Sequence, residues 1–178
     1  MSHDSESLRD QAISDLREAE EELQRRGELL VQACSAALPG WLHSQVLARA
    51  SGADLDADHL LKVVEAASGS VLEDLQRLLN TPASGQRGTP LNVLRSVAEA
   101  PTALLTSAGV APPQRDPFEL ERFPEDRYGL APVAWADLGE EVGEAGLGWG
   151  AARALVHLVE RQVTESTGAR NNSETRPS

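Results

Sequence analysis

The sequence predicts an all-α fold: an N-terminal helical hairpin, then a C-terminal helical module that carries a long, ordered, aromatic-rich loop. Three observations predict it. Leu, Ala and Val dominate the apolar residues, with only six aromatics in 178 residues, a composition that favours helix over strand. Apolar residues recur at spacings of three and four along the long segments. Pro and Gly stand where helices should start and stop.

The first element is a helix over residues 5–38. Leu16, Ala19, Leu23, Leu30, Ala33 and Ala37 form its apolar seam, a repeat compatible with a coiled coil. Glu21 and Glu22 stand four residues before Arg25 and Arg26, the favourable orientation for helix ion pairs. Pro39-Gly40 is expected to end this helix, with a short second helix over Trp41–Ala50. A third helix over 56–80 has its seam at Leu61, Val64, Ser68, Val71, Leu75 and Leu78, widened by Leu60, Leu72 and Leu79. It pairs with the first to close a hairpin over 1–80.

Residues 81–88, TPASGQRG, are small, polar and rich in breakers, and read as a flexible linker. The C-terminal module spans 89–164. Thr89-Pro90 opens a helix to about 99 as N-cap and first-turn proline. Pro101 kinks or restarts it. Gly109 is placed for a left-handed C-cap, with Val110 folding back on Leu105. Asp116-Pro117-Phe118-Glu119 matches a capping box and predicts a short helix. Two prolines and four glycines break the stretch after Phe123, with a short helix around 132–138. The last helix is expected from 147 to 164, and the polar residues 165–178 are expected to be disordered.

The charge of the chain narrows its partners. The formal net charge is −12, and no basic cluster is present to neutralise phosphates. No nucleic-acid or anionic-membrane partner is expected. No apolar run approaches the roughly 20 residues of a membrane span. The N-terminus MSHDSESLRD is unlike a secretory signal, and the single Cys34 permits no internal disulfide. A cytoplasmic location is expected. Lys62 stands alone against fifteen arginines, the mark of a GC-rich genome.

Candidate chemistry is sparse. Asp54, Asp56, Asp58 and Glu65 fall at positions one, three, five and twelve of a calcium loop. But His59 replaces the glycine of the sharp turn, and Lys62 puts a cation at the ninth position. The preferred reading is an acidic helix start that stabilises the exposed amides. Gly146, Gly148 and Ala151 match G-x-G-x-x-A, but DLGEEVGEA precedes them where a strand is required. Close helix packing explains these small residues better. His43 and His59 lack metal-ligand spacing, and no metal or cofactor is expected. Cys34 reads as an inert buried thiol. No nucleophile elbow, P-loop or H-E-x-x-H motif occurs.

The most unusual cluster is Arg115, Asp116, Phe118, Phe123, Asp126, Arg127, Tyr128, Trp135 and Trp149, with Pro124 and Pro132 between them. Every aromatic except Trp41 lies here, and aromatics with arginine anchor interfaces. The cluster reads first as a satellite core, with Arg115 and Asp126 tying the loop by hydrogen bonds. It reads second as a protein-binding surface, and the two are compatible. A non-enzymatic interaction protein is the leading function, using this 115–149 surface or the long first helix, through which it could also self-associate. The alternative is a small-molecule or enzymatic site between this segment and the last helix. There Arg115 or Arg127 would bind an anion, with Asp126 and His157 as acid/base groups. His157 otherwise reads as a solvated residue beside Arg153, Glu160 and Arg161, opposite an apolar face of Trp149, Ala152, Leu155, Val156 and Val159.

Several residues of the module carry a resemblance. They are Pro90-Leu91 with Arg95, Pro101-Thr102 with Leu105, Ala108-Gly109-Val110, Arg115-Asp116 with Phe118, and Phe123-Pro124 with Asp126. Tyr128-Gly129-Leu130, Pro132, Gly146-Leu147 and Trp149-Gly150-Ala151-Ala152 complete the series. Over about 89–160 the chain resembles a group of actinobacterial conserved proteins of unassigned function. The resemblance implies a GC-rich origin and no catalytic residue, cofactor or substrate.

Overall fold

The computed structural model describes residues 2–82 and 90–171, and every regular element among them is helical. In order they are α1 (Ser2–Ala50), α2 (Ala57–Leu79), α3 (Pro90–Arg95), a 3-10 turn (Ser96–Ala98), α4 (Glu99–Ser107), α5 (Pro117–Arg122), a second 3-10 turn (Trp135–Leu138) and α6 (Glu140–Asn171). The fold is all-α, as the composition predicts.

Pro39 does not break the first helix, contrary to expectation: α1 runs through it to Ala50 as one element. A proline inside a helix costs about 3 kcal/mol through its missing N–H and the clash with the preceding turn. Burial of one Leu or Val side chain contributes about 1.5–3 kcal/mol. Leu38, Leu42 and Val46 flank Pro39 and are fully buried, so three such side chains outweigh one proline. Leu30, Cys34, Leu38, Leu42, Val46 and Ala50 form the buried stripe. Their four-residue spacing exceeds the 3.6-residue turn, so the stripe winds about 200° round α1. One helix thereby serves several neighbours.

Asp56 caps α2, its Oδ1 accepting from Asp58 N at 2.9 Å and His59 N at 3.0 Å. The buried line on α2 is Leu60, Val64, Ser68, Val71, Leu75 and Leu79. It is rotated slightly from the expected seam, and Leu61 is exposed. α2 returns along α1 until Leu79 meets Gly27, where a Cβ would stand 3.5 Å from Leu79 Cβ.

In the module, Pro101 sits in the first turn of α4, directly after the 3-10 turn, where its missing N–H costs little. α4 ends as expected. Gly109 has φ +74°, Val110 N donates to Leu105 O and Gly109 N to Thr106 O, both at 3.1 Å. Asp116 caps α5 through Phe118 N at 2.8 Å. Glu119 does not complete the capping box; it turns instead to Arg95, at 3.5 Å.

α6 is longer than its expected bounds of 147–164, running from Glu140 to Asn171. It absorbs the glycine-rich stretch before it and the start of the polar tail; residues 172–178 lie outside the described residues, as does most of the 81–88 linker. Its inward residues Val142, Trp149, Ala152, Val156 and Val159 are buried. The loop into α6 is tied to the far end of α1, since Arg49 Nε donates to Tyr128 O at 2.8 Å. Further along, Trp149 reaches the level of Gly27. α6 therefore runs antiparallel to α1, towards its N-terminus. Past Leu79 the helix α2 has ended, and Ala19 and Leu23 are still buried on α1, which packs along α6. Beyond Leu79, α1 and α6 continue side by side as a two-helix stalk.

Candidate functional site

Asp126 is the centre of the aromatic-rich segment. It is 4% exposed, and its carboxylate accepts from Leu130 N at 2.6 Å and Ala131 N at 3.2 Å. Arg115 Nη1 donates to the Asp126 carbonyl at 2.7 Å and lies 3.5 Å from Oδ2. Gly129 follows at φ +67°, where a Cβ would come within 2.7 Å of Arg115 Nη1. Glycine is required there twice over, for the backbone and for the arginine.

Other residues tie the segment down around that centre. Tyr128 is buried, and its hydroxyl donates to Val110 O at 2.6 Å. Arg95 lies 3.6 Å above the centre of the Phe123 ring. Arg127 Nη2 donates to Thr106 Oγ1 at 2.8 Å. Trp135 packs against Gly146, where a Cβ would meet its ring carbons at 2.5 Å. Asp137 Oδ2 accepts from Val133 N and Ala134 N at 2.8 and 2.9 Å, fixing the turn that carries Trp135. Trp149 is buried against Gly27, with Arg153 over its ring at 5.4 Å.

The predicted surface residues therefore divide. Asp126, Tyr128 and Trp149 are buried. Arg115, Phe123 and Trp135 are half-buried. Asp116, Phe118 and Arg127 are exposed, and Phe118 at 82% is the one open aromatic of the set. The satellite-core geometry dominates, and Tyr128 and Trp135 do not form an open apolar patch. Composition flagged the aromatics; it did not flag Arg49 and Arg95, whose partners lie far along the chain.

The proposed acid/base constellation does not assemble. Asp126 is committed to two backbone amides and Arg115. His157 Nδ1 stands 3.3 Å from Glu160 Oε2, in a shallow hollow lined by Glu160, Arg161, Thr164 and Glu165. Neither Asp126 nor Arg127 lines it. The G-x-G-x-x-A residues lie in the interior of α6, with Trp135 occupying the space over Gly146. The acidic 54–65 segment starts a helix, with Asp56 spent as its cap. Among the described residues no three His, Cys, Asp or Glu side chains gather as a metal requires. Cys34 is fully buried, and burial pushes its thiol up from 9.0 to about 12.

Two open features remain. A cleft of about 790 Å³ lies where α2 stops short of the stalk, lined by Leu23, Gly27, Leu29, Val31 and Leu79 among Glu20, Arg25 and Glu28. Beside it, Glu22 takes both arginines, Arg25 at 2.7 Å and Arg26 at 2.8 Å, where a separate pair for Glu21 was expected. Hydrogen bonds from Arg25 and then Arg26 hold the Glu22 carboxyl below its usual value. The second feature is the outward face of α6. Leu147, Leu155 and Leu158 are 77%, 47% and 45% exposed, and Gly150, Ala151 and Ala154 between them are exposed as well. Leu155 thus belongs to this face, not to the inward one predicted for it. No helix among the described residues is long and apolar enough to cross a membrane.

Comparison with protein-family models, with curated proteins and with solved structures gives no match.

Proposed function

We propose that this chain is a non-enzymatic interaction protein that works through the surfaces of its long helices. The observation that carries the reading is the two-sided character of α6. One side is sealed on α1, while the other leaves three leucines in water at helical spacing. An apolar strip of that kind on a helix is the feature that helix-to-helix recognition uses. α1 adds Leu8, Ile13 and Leu29, exposed at 71%, 40% and 42%. The aromatic segment supports these helices from within, and Phe118 is its aromatic that stays open to a partner.

Photo-crosslinking in the native cell tests the reading. A crosslinking side chain is placed at position 155, at 13 or at 118, and the adducts are identified. Discrete protein adducts at 155 or 13 are expected, lost when Ala154→Glu is introduced beside position 155 or Arg17→Glu one turn from position 13. An adduct pattern that is diffuse and identical with and without these substitutions overturns it.

A further inference from the structure

We infer that the outward face of α6 is closed by a second copy of the same chain, packed antiparallel about a two-fold axis midway between Ala151 and Ala154. The inference rests on the interaction reading above and names its partner. Between Glu144 and Arg161 the outward positions are Leu147, Gly150, Ala151, Ala154, Leu155 and Leu158, with no charge among them. Leu147, Ala151, Ala154 and Leu158 are spaced four, three and four, the seam of a helix pair with a heptad repeat.

The strip is complementary to itself in one direction only. A two-fold axis at its middle sets Ala151 against Ala154 of the second copy, where small side chains let two backbones approach closely. It sets Leu147 against Leu158, so the leucines close both ends. It sets Leu155 against Gly150, and a Cβ on Gly150 would meet nothing within 4 Å, so the larger side chain has room. One level further out it sets Glu144 against Arg161. Both are exposed, and the contact occurs twice in the dimer. A parallel pair would instead oppose Glu144 to Glu144 and Arg161 to Arg161. The next level, Glu140 against Glu165, is like-charged and bounds the strip. A symmetric dimer needs this kind of isologous patch, in which each residue's partner also finds it.

Three helical turns from each copy fall below the roughly 1,200 Å² of a standard stable interface. The association is therefore a micromolar one. Sedimentation velocity of the full chain between about 1 μM and about 1 mM reads it directly. The expected result is a shift from the 19.0 kDa monomer towards the dimer across that range. Ala154→Glu abolishes the shift. Glu144→Arg weakens association about 10-fold, since two attractive contacts become repulsive. The double variant Glu144→Arg, Arg161→Glu restores it to within about 3-fold of the wild type. All three positions are exposed, and an unchanged far-UV circular dichroism spectrum verifies the fold.

A monomer at every concentration overturns the inference, as does a dimer indifferent to Ala154→Glu. A dimer that charge reversal weakens and the swap fails to restore overturns the antiparallel pairing. None of these outcomes touches the wider reading, which falls only if the crosslinks in the cell fail to depend on the helix faces.

Discussion

Arg115 grips Asp126 at two points, the backbone carbonyl at 2.7 Å and the carboxylate at 3.5 Å. The loop that joins α5 to α6 is thus held by an ion pair under cover, since the side chains are 16% and 5% exposed. Removing one partner of such a pair is more costly than the pair is worth, because the other charge stays buried alone. Asp126→Ala also strips the acceptor from Leu130 N and Ala131 N. It should lower stability by about 3–5 kcal/mol, measured as a shift in the urea midpoint. A loss below about 1 kcal/mol would mean that the segment is not pinned by this centre.

Tyr128 and Phe118 are both aromatics of the same segment, and they should behave in opposite ways. Tyr128→Phe leaves the Val110 carbonyl without the hydroxyl it accepts at 2.6 Å, at a cost of about 1–3 kcal/mol. Phe118→Ala removes a ring that is 82% exposed, and should change stability by less than about 0.5 kcal/mol. Thermal melts of the two variants check the contrast. Equal destabilisation would contradict the division into a buried Tyr128 and an open Phe118.

The helices were legible where periodicity and chemistry agreed. The Asp116 cap, the Gly109 stop, the acidic start of α2 and the middle of its seam from Val64 to Leu75 follow from local rules, and local rules need only neighbouring residues. The misreadings share a cause. Pro39 and the glycines at 143 and 146 are helix breakers in isolation, and local rules read each of them as one. Their helices persist because distant surfaces pack on them. Leu38 and Leu42 are held in the core around Pro39, while Trp135 covers Gly146 and Ala136 sits against Gly143. The aromatic cluster was visible from composition. Whether each ring faced inward was not, because Tyr128 is sealed by Val110, Thr106 and Arg49 on separate elements. α6 hid its second apolar face for a related reason. Leucines on both sides of a helix blur its periodicity, so the pattern alone places Leu155 on the wrong one.

Gly146 and Gly69 make a matched pair for the packing argument. Alanine is favoured over glycine inside a helix by about 1 kcal/mol. At Gly69, in the middle of α2, a Cβ would meet nothing within 4 Å, so Gly69→Ala should stabilise by most of that amount. At Gly146 a Cβ would come within 2.5 Å of the Trp135 ring. Gly146→Ala must displace the indole, and overpacking of this kind costs about 1–3 kcal/mol, more than the helix gains. Denaturation midpoints should move in opposite directions, and the tryptophan emission should change only for Gly146→Ala. Stabilisation by both would show that Trp135 does not rest on α6.

Cys34 couples the long helix to pH. Its side chain is fully buried in α1, and burial raises the thiol from 9.0 to about 12. In the unfolded chain the thiol ionises at its ordinary value, so between about pH 9 and 12 the unfolded state has released a proton that the folded state keeps. The folded state then binds more protons, and stability must fall as pH rises through that window. Below pH 9 the contribution is present in full. Cys34→Ala should flatten this part of the profile while lowering stability at neutral pH, because a cavity replaces a buried sulfur. The same burial makes the thiolate scarce and shielded in the native protein. Ellman's reagent at pH 8 should therefore label Cys34 only as fast as the helix opens, with a rate that climbs with added urea. Rapid labelling of the folded chain would place Cys34 at the surface and remove it from the stripe on which the passage of α1 through Pro39 depends.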